Sequence, residues 1–171
     1  MWYMQPVTVS IDLPQSRQDV FDFLDVMANH EPFTNHILRD WEYSGPPRGV
    51  GSKARVHVSS AGRTDTVDIE VIDAERPARI VERNIGAGGK RVATGTYTLS
   101  DLPEGGTHVQ FEYAWQQAPL SERVMAPLVR GVLRRANERA MERLAAQIGA
   151  APASEAGRRP SPTHPPSPPN G

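Results

Sequence analysis

The feature that most constrains this chain is a change in the spacing of its apolar residues. From Trp41 to Trp115, apolar and polar residues alternate in short runs, which is the pattern of half-buried β-strands. From Leu120 to Ile148, apolar residues recur every four positions, as on one face of a helix. A strand and a helix at Val7 to Val26 precede both patterns. The sequence therefore predicts an α+β domain in which a long helix lies across a curved antiparallel sheet and encloses a cavity.

Capping residues and prolines indicate where the helices begin and end. Pro14 ends the first strand, and Ser16 is a predicted N-cap because Asp19 follows it in the first turn. Pro127 lies inside the last helical segment, where its ring and missing N–H are expected to bend the helix or delay its regular part. Gly131, one turn later, would let a ligand or another backbone come close.

Several short segments carry a resemblance to a known group of proteins. They are Val20-Phe-Asp-Phe-Leu with the following Asn29-His-Glu-Pro-Phe, Gly49-Val-Gly, Gly95-Thr-Tyr-Thr-Leu and Gly105-Gly-Thr-His-Val. With the order of elements, they resemble the START-like helix-grip superfamily from Val7 to about Gln147. That superfamily includes polyketide cyclases and dehydrases, coenzyme Q-binding proteins and plant pathogenesis-related allergens. The resemblance implies the helix-grip fold, a curved antiparallel sheet of about seven strands wrapped around a long C-terminal helix.

The resemblance implies a small-molecule cavity but not its ligand, because one fold hosts several functions. Many members sequester a hydrophobic ligand, and some catalyse aldol cyclisation or dehydration mostly by shaping the substrate. The superfamily shares no catalytic signature, so whether this chain is an enzyme stays open. A polyketide cyclase or dehydratase-like activity is the enzyme alternative. A lipid or quinone carrier without catalysis would use the same cavity, and an interaction module acting through the last helix is the third alternative.

The alternation of side chains along each strand predicts which residues face the cavity. The predicted ligand-binding residues are apolar or aromatic apart from one amide: Phe33, Val56, Val58, Ile69, Val71, Asn84, Phe111, Tyr113, Trp115, Met125, Leu128 and Val132. Phe33 stands where relatives often have tryptophan, which would change the shape of the cavity. For Phe111, plain core packing is the preferred interpretation. Four polar residues are predicted on the outer face as cross-strand charge pairs: Arg55, His57, Asp68 and Glu70.

Three residues are candidates for proton transfer in the cavity, namely Glu82, His36 and Tyr97. Glu82 faces inward if Ile80 does, as the resemblance favours, whereas Arg83 faces inward if the alternation starts one residue later. A carboxylate in an apolar cavity has a raised pKa and can act as a general acid or base. A hydrogen bond from Tyr97 or from a neighbouring tyrosine would instead make Glu82 structural.

The two histidines before the strands receive different interpretations. His36 lies just before the strands begin, at the cavity rim of the relatives, and its side chain titrates near neutrality, so it could shuttle a proton. His30 is expected to cap a helix or to face water. No pair of histidines has the spacing of a helical metal site, so neither a metal nor a cofactor is predicted.

Composition and motifs exclude several other classes of protein. The formal net charge of −1 gives no basic field that would recruit nucleic acid. The chain has no cysteine, which excludes disulfides and thiol catalysis. The segment Gly86 to Lys90 lacks the spacing of a phosphate-binding loop and is predicted to be a turn between strands. Because no signal peptide or long apolar segment is evident, we expect a cytoplasmic protein.

The C-terminal part of the chain suggests two further features. The last helix carries many arginines: Arg123, Arg130, Arg134, Arg135, Arg139 and Arg143. Their ordinary interpretation is a solvated face with ion pairs to glutamates one turn away, and the alternative is docking of an acyl carrier protein or an anionic membrane surface.

The predicted ligand-binding domain is 1–148. Residues 149–171 are rich in proline and are predicted to be a disordered tail. The oligomeric state is not predicted.

Overall fold

A computed structural model describes residues 3–60 and 62–150 of the chain. Its strands are β1 (Val7–Leu13), β2 (Leu38–Ser44), β3 (Lys53–Ser60), β4 (Arg63–Glu75), β5 (Arg79–Gly86), β6 (Arg91–Asp101) and β7 (Thr107–Gln117). Its α-helices are α1 (Arg17–Leu24), α2 (His30–Thr34), α3 (Leu120–Val124) and α4 (Ala126–Ala150), and short 3₁₀ turns lie at Met27–Asn29 and Ala87–Gly89.

The strands of the described residues form one antiparallel sheet. Their order is β1-β7-β6-β5-β4-β3-β2, so each hairpin from β2 to β7 adds one strand beside the last, and β1 closes the row next to β7. The long helix α4 packs along β1 and against α2. This arrangement confirms the predicted helix-grip fold.

The first helix begins where the sequence indicates. The Asp19 backbone N–H donates to Ser16 Oγ at 3.2 Å, which satisfies one of the N–H groups that a helix start leaves without a partner. Helix α1 then buries Val20, Phe21 and Leu24 against the sheet. The predicted N-cap at Ser16 is therefore confirmed.

The last helix is divided where Pro127 was expected to disturb it. Helix α3 ends at Val124, and Met125 has non-helical backbone angles of φ −95° and ψ 19°. Helix α4 starts at Ala126, which places Pro127 in its first turn. Proline is tolerated there because the N–H of that position has no partner within the helix. The disturbance thus takes the form of a break rather than a bend.

The C-terminal half of α4 closes the main core. Its buried residues are Asn137, Ala140, Met141, Leu144 and Ile148. They join a cluster that includes Phe33 of α2 and inward residues of the sheet. The N-terminal half of α4 packs more loosely, through Ala126, Val129 and Leu133, on a smaller cluster around Trp115.

One predicted face of the last helix is wrong. We expected Val124, Met125, Leu128 and Val132 to face the sheet, but their exposed fractions are 72%, 48%, 59% and 56%. The side chains that pack, such as Val129 and Leu133, each follow one of these residues and lie about 100° further around the helix. Whether Met125, Leu128 and Val132 touch a ligand stays a prediction.

The arginines of α4 hold other elements rather than forming ion pairs along the helix. Arg130 Nε donates to the Gln5 carbonyl at 2.9 Å, and Arg134 Nη1 donates to the Thr8 carbonyl at 3.2 Å. Among the described residues, no ion pair joins two side chains of α4, so the expected pairing with Glu138 and Glu142 is wrong. Because β1 is an edge strand, the Arg134 guanidinium covers a carbonyl of that strand, and Arg130 holds the segment just before it.

The end of α4 lies close to the predicted domain boundary. The helix continues through Gly149 to Ala150, two residues beyond the predicted end of the folded domain. The predicted disordered tail, apart from these two residues, lies outside the residues that the structure describes.

Candidate functional site

Strand register places one carboxylate in the middle of the inner sheet face. On β5, Ile80, Glu82 and Asn84 are buried and alternate with exposed or half-buried neighbours, so the inward orientation that the resemblance favoured for Ile80 is the observed one. Glu82 pairs with Gly95 of β6, and Gly95 pairs with Tyr113 of β7. The neighbour of Glu82 on β6 is therefore a glycine, which has no side chain beside the Glu82 carboxyl.

Glu82 forms a buried pair with His30, at the N-terminus of α2. His30 Nδ1 lies 3.2 Å from Glu82 Oε1, and His30 Nε2 donates to the Leu24 carbonyl at 2.7 Å. Since a carbonyl only accepts, Nε2 carries a hydrogen. Contact between Nδ1 and a carboxyl oxygen then requires one further proton, held either by the imidazole or by the carboxyl. The two side chains therefore form a close polar contact inside the core.

The burial of His30 was missed in the sequence. His30 is 3% exposed, so the expectation that it faces water is wrong, whereas its hydrogen bond to the carbonyl of Leu24, the last residue of α1, agrees with the expected cap. The available signal was its spacing, because His30 lies three residues after buried Met27 and three before buried Phe33. Positions three apart in helical segments share a face, so all three point to the core. The Asn29-His-Glu-Pro interruption obscured that periodicity.

Tyr97 completes the cluster from the neighbouring strand β6. Its ring meets the His30 ring edge-on, with the ring centres 5.6 Å apart. Burial raises the pKa of Tyr97 well above its usual range, and a negative charge on Glu82 raises it further. The phenol therefore stays protonated, and its hydroxyl makes no hydrogen bond among the described residues. Tyr97 is thus a hydrogen-bond donor that a ligand could occupy.

The protonation of Glu82 is set by two opposing effects. Burial raises the pKa of the Glu82 carboxyl, and attraction to the His30 imidazole lowers it, with burial the larger effect. Glu82 Oε1 accepts no hydrogen bond among the described residues, because its 3.2 Å contact with His30 Nδ1 is not a hydrogen bond. A buried carboxyl that titrates above its ordinary range and has spare acceptor capacity suits acid–base chemistry.

The inner sheet face is not fully covered next to this cluster. Phe111 and Tyr113 point inward yet are only half-buried, whereas Val109 and Trp115 on the same strand are buried. A methyl group on Gly95 would lie 3.0 Å from the Phe111 ring, so the glycine leaves room for that ring to lie over the sheet. Two half-buried aromatic rings therefore lie on the same sheet face as the Glu82 carboxyl, and we infer a space for a ligand beside them.

One side of α4 marks where this space opens. In the C-terminal half, that side is covered by α2 and the turn after it, since His36 Nε2 donates to the Ala136 carbonyl at 2.9 Å and Arg143 Nη2 donates to the Pro32 carbonyl at 3.0 Å. Val132 lies on the same side of the helix as Arg143, because it precedes Arg143 by about three turns. Among the described residues nothing covers Val132, which is exposed. We take this uncovered side as the mouth of the space.

The predicted catalytic residues are only partly brought together. Glu82 and Tyr97 meet through His30. His36 makes a different contact, the hydrogen bond to α4, and its Nδ1 is buried without a hydrogen-bond partner among the described residues. A role of His36 in proton transfer stays a prediction, and the structure adds the anchoring of α4 as a second role.

The predicted ligand-binding residues divide by burial. Those that are buried are Phe33, Val56, Ile69, Val71, Asn84 and Trp115. Those that are half-buried on the inner face are Val58, Phe111 and Tyr113. The half-buried group is the one that a ligand in the space described above would touch.

Three charged side chains, Arg91, Glu122 and Asp65, connect α3 to the sheet near the aromatic rings, and we call them the clasp. Arg91 Nε donates to both carboxyl oxygens of Glu122 at 3.0 Å, and Arg91 Nη1 donates to Asp65 Oδ2 at 2.8 Å. The Asp65 carboxyl also accepts from the Ala87 backbone N–H at 3.0 Å. Burial raises the pKa of Tyr113 nearby to about 12, partly offset by the Arg91 charge. The clasp thus fixes α3 across strands β4 and β6.

The outer face of the sheet carries the predicted charge pairs. Arg55 Nε lies 2.8 Å from Asp68 Oδ1, and Glu70 contacts the side chain of Arg83 at 2.8 Å. His57 Nδ1 lies 3.6 Å from Asp40 Oδ2. A groove of about 450 Å³ runs over this face, lined by Arg55, Asp68 and Glu70 among others. Because its charges neutralise one another, the groove is not the predicted cavity for an apolar ligand.

Two other kinds of site have no support in the described residues. They contain no group of three or more histidine, aspartate and glutamate side chains placed to hold a metal ion. No helix in this part of the chain has both the length and the apolar character needed to span a bilayer.

Solved structures share this fold at low sequence identity. TTHA0849 from Thermus thermophilus is 19% identical with a TM-score of 0.66, and the match covers 87% of this chain and 100% of that protein. The KanY protein is 16% identical with a TM-score of 0.66, covering 86% of this chain and 99% of the other. DynU16, from the dynemicin biosynthetic locus, is 20% identical with a TM-score of 0.58, covering 85% of this chain and 47% of that protein. At these identities the likeness shows the fold alone.

The sequence itself matches one protein family. No curated protein matches the chain. The family described as polyketide cyclase / dehydrase and lipid transport matches residues 4–149. Since this match covers the sheet and the whole of α4 but its last residue, the chain belongs to the polyketide cyclase / dehydrase and lipid transport family.

Proposed function

We propose that the protein binds a hydrophobic or aromatic small molecule between α4 and the inner face of the sheet, and that Glu82 exchanges a proton with it. The observation that carries this proposal is the buried Glu82–His30 pair, with His30 Nδ1 3.2 Å from Glu82 Oε1, beside Tyr97, whose hydroxyl makes no hydrogen bond among the described residues. Membership of the family supports a ligand in the helix-grip interior. The half-buried rings of Phe111 and Tyr113 supply flat apolar surface against which an aromatic ligand can pack.

The cluster suits the dehydration of a β-hydroxy carbonyl compound. Tyr97 O–H donates to the carbonyl oxygen, and the Glu82 carboxylate accepts the proton from the carbon next to that carbonyl. The electron pair of the broken C–H bond forms an enolate, which Tyr97 stabilises. The enolate then forms the C=C bond as the C–O bond to the hydroxyl breaks, and Glu82 returns its proton to the departing oxygen, so water leaves. Throughout, attraction to the His30 side chain would favour the ionised form of Glu82.

The same groups suit an aldol cyclisation. Glu82 again takes a proton next to a carbonyl, and the resulting enolate attacks a second carbonyl of the same chain to form a C–C bond. The proton on Glu82 then passes to the new alkoxide. In both reactions the carboxyl gains and returns one proton, so no other reactant is needed. The apolar walls would contribute by holding the reacting carbons close together.

The test compares the wild-type protein with Glu82→Gln in two measurements. The first follows conversion of an aromatic β-hydroxy ketone to its enone by absorbance, and the second follows binding of the hydroxyanthraquinone emodin by tryptophan fluorescence. We expect Glu82→Gln to abolish conversion while changing emodin affinity by less than about tenfold, or about 1.4 kcal/mol. Exposed Glu138→Gln on α4 serves as the matched control and should leave both unchanged. Equal conversion by wild type and Glu82→Gln would show that the acid–base assignment is wrong.

A lipid or quinone carrier without catalysis is the second candidate. The exposed aliphatic residues at the mouth, such as Val132, favour it because they offer an apolar path to the interior. A carrier needs no proton exchange, so Glu82→Gln would leave transfer of the ligand unchanged. Val132→Trp, which fills the mouth, would impair binding in both cases. For the third alternative, an interaction module acting through the arginines, Arg130, Arg134 and Arg143 are already engaged with backbone carbonyls, so it would depend on the other arginines of the helix.

A further inference from the structure

Five aliphatic side chains stand exposed on α3 and on the first turns of α4. Their exposed fractions are 70% for Leu120, 72% for Val124, 48% for Met125, 59% for Leu128 and 56% for Val132. We refer to these five residues as the apolar stripe. Single exposed aliphatic residues are ordinary on a protein surface, but a continuous group of this kind marks a contact surface.

Two arginines extend the apolar stripe along α4. Arg135 and Arg139 follow Val132 by three and seven residues, which keeps them on the same side of the helix. Both are exposed, and neither makes a hydrogen bond or an ion pair in the part of the chain that the structure describes. They differ in this from Arg130 and Arg134, which hold β1. Their charges therefore remain available to an anionic partner.

We propose that the apolar stripe, together with Arg135 and Arg139, docks the protein on the surface of an anionic phospholipid bilayer. The stripe is convex, because it consists of side chains that project from a helix. A protein partner would need a groove matched to these projections, whereas acyl chains accept aliphatic side chains of any shape. The guanidinium groups then lie at the level of the phosphate groups and attract anionic lipids. Charge complementarity and convex shape together favour a bilayer over an acidic protein.

Docking in this way would bring the mouth of the interior to the membrane. Val132 belongs both to the apolar stripe and to the side of α4 that we take as the mouth. An apolar ligand could pass between the bilayer and the interior without crossing water. This last consequence rests on the proposed ligand-binding function, whereas docking itself does not.

The experiment measures sedimentation of the full-length protein with vesicles of phosphatidylcholine containing about a quarter phosphatidylglycerol. We expect wild-type protein to bind and Val124→Asp to bind at least about tenfold more weakly, because it puts a charge into the acyl layer. The matched control is Val50→Asp, the same substitution at a residue 57% exposed in the β2–β3 connection. It should bind like wild type. Absence of wild-type binding, or equal losses in the two variants, would overturn the proposal.

The charged part of the surface has its own test with the same vesicles. Arg139→Glu should weaken binding by about fivefold or more, since each basic residue near an anionic surface adds about 1 kcal/mol. Arg39→Glu, an exposed arginine on β2, is the matched control and should have no effect. Binding that does not weaken in Arg139→Glu would contradict the role of the arginines.

Two further readouts separate this proposal from its competitors. Binding of the stripe to a purified acyl carrier protein, without any binding to vesicles, would overturn it in favour of an acidic protein partner. Emodin binding in solution should be unchanged in Val124→Asp, because Val124 does not belong to the predicted ligand-binding residues. If Val124→Asp loses vesicle binding and keeps emodin binding, docking and ligand binding are distinct. If wild type fails to bind emodin yet binds vesicles, the proposed function fails while docking stands.

Discussion

At the scale of single residues, the account depends on one buried carboxyl. Burial raises the pKa of Glu82 above its ordinary value of 4.5. Over the pH range from 4.5 up to the raised pKa, the folded protein therefore holds a proton that the unfolded chain has released. The free energy of unfolding falls as pH rises through this range, because the unfolded chain binds fewer protons than the folded state does.

The direction of this pH dependence gives a prediction that can be tested without a ligand. Glu82→Gln cannot ionise, so the free energy of unfolding of the variant relative to wild type should increase as pH rises from about 4.5 toward neutrality. Urea unfolding at a series of pH values measures the difference. Exposed Glu138→Gln should give a curve parallel to that of wild type. A parallel curve for Glu82→Gln would show that the Glu82 carboxyl does not titrate differently in the folded protein.

How far the sequence predicts the site also depends on single residues. The inward orientation of Glu82 follows from strand alternation, because its neighbours Ile80 and Asn84 share its face. Its partner His30 comes from a helix far away in the sequence, so no local pattern could pair the two. The burial of His30 was detectable from its spacing to Met27 and Phe33, but not its contact with the carboxyl.

At the scale of elements, the packing of α4 decides which of its faces meets the sheet. Leu144 is fully buried in the main core, whereas Leu128 is 59% exposed on the apolar stripe. The same substitution at the two positions therefore has very different consequences. Leu144→Ala should lower the free energy of unfolding by about 2–5 kcal/mol, and Leu128→Ala should change it by no more than about 0.5 kcal/mol. Urea unfolding of both variants checks this, and similar losses at both positions would mean that α4 is rotated from the orientation described.

The clasp between α3 and the sheet gives a second prediction for the elements. Arg91→Met leaves Asp65 and Glu122 close together without a positive charge, so we expect a loss of about 1–3 kcal/mol. Arg55→Met removes an ion pair of the exposed outer face and should cost about 0–1 kcal/mol. Hydrogen exchange at the amides of Arg123 and Met125, in and just after α3, should accelerate only in Arg91→Met. Unchanged exchange there would show that the clasp does not hold α3.

The faces of α4 show where sequence reasoning about elements fails. A four-residue repeat runs through Leu120, Val124, Leu128 and Val132 and predicts a buried face. The helix breaks at Met125, however, and smaller residues such as Ala126 pack instead. The roles of Arg130 and Arg134 were not predictable either, because the carbonyls they bind lie more than a hundred residues away.

At the scale of the whole molecule, the fold could be predicted well from the sequence. Alternating strands followed by one long helix leave few arrangements that bury both apolar faces, and the helix-grip arrangement is the observed one. The strand order follows because neighbouring strands in the sequence pair as hairpins. The mouth of the interior could not be predicted, since it depends on which part of α4 the short helix α2 leaves uncovered.

The C-terminal segment gives the prediction at this scale. Residues 151–171 are rich in proline and contain little that could be buried, so they should contribute nothing to stability. Deleting them should leave both the thermal unfolding midpoint and emodin binding unchanged, as calorimetry and fluorescence can measure. A lower midpoint or weaker binding in the truncated protein would refute the predicted tail.

The central claim is that a small molecule binds between α4 and the inner face of the sheet, and a methyl NMR titration with emodin tests it most directly. We expect saturable shifts at Val58 and Val132, which line the space and its mouth, and none at Val50 or at Ile72, which lie outside it. Val132→Trp should abolish these shifts. Saturable shifts confined to residues outside the space, or unchanged binding in Val132→Trp, would contradict the account.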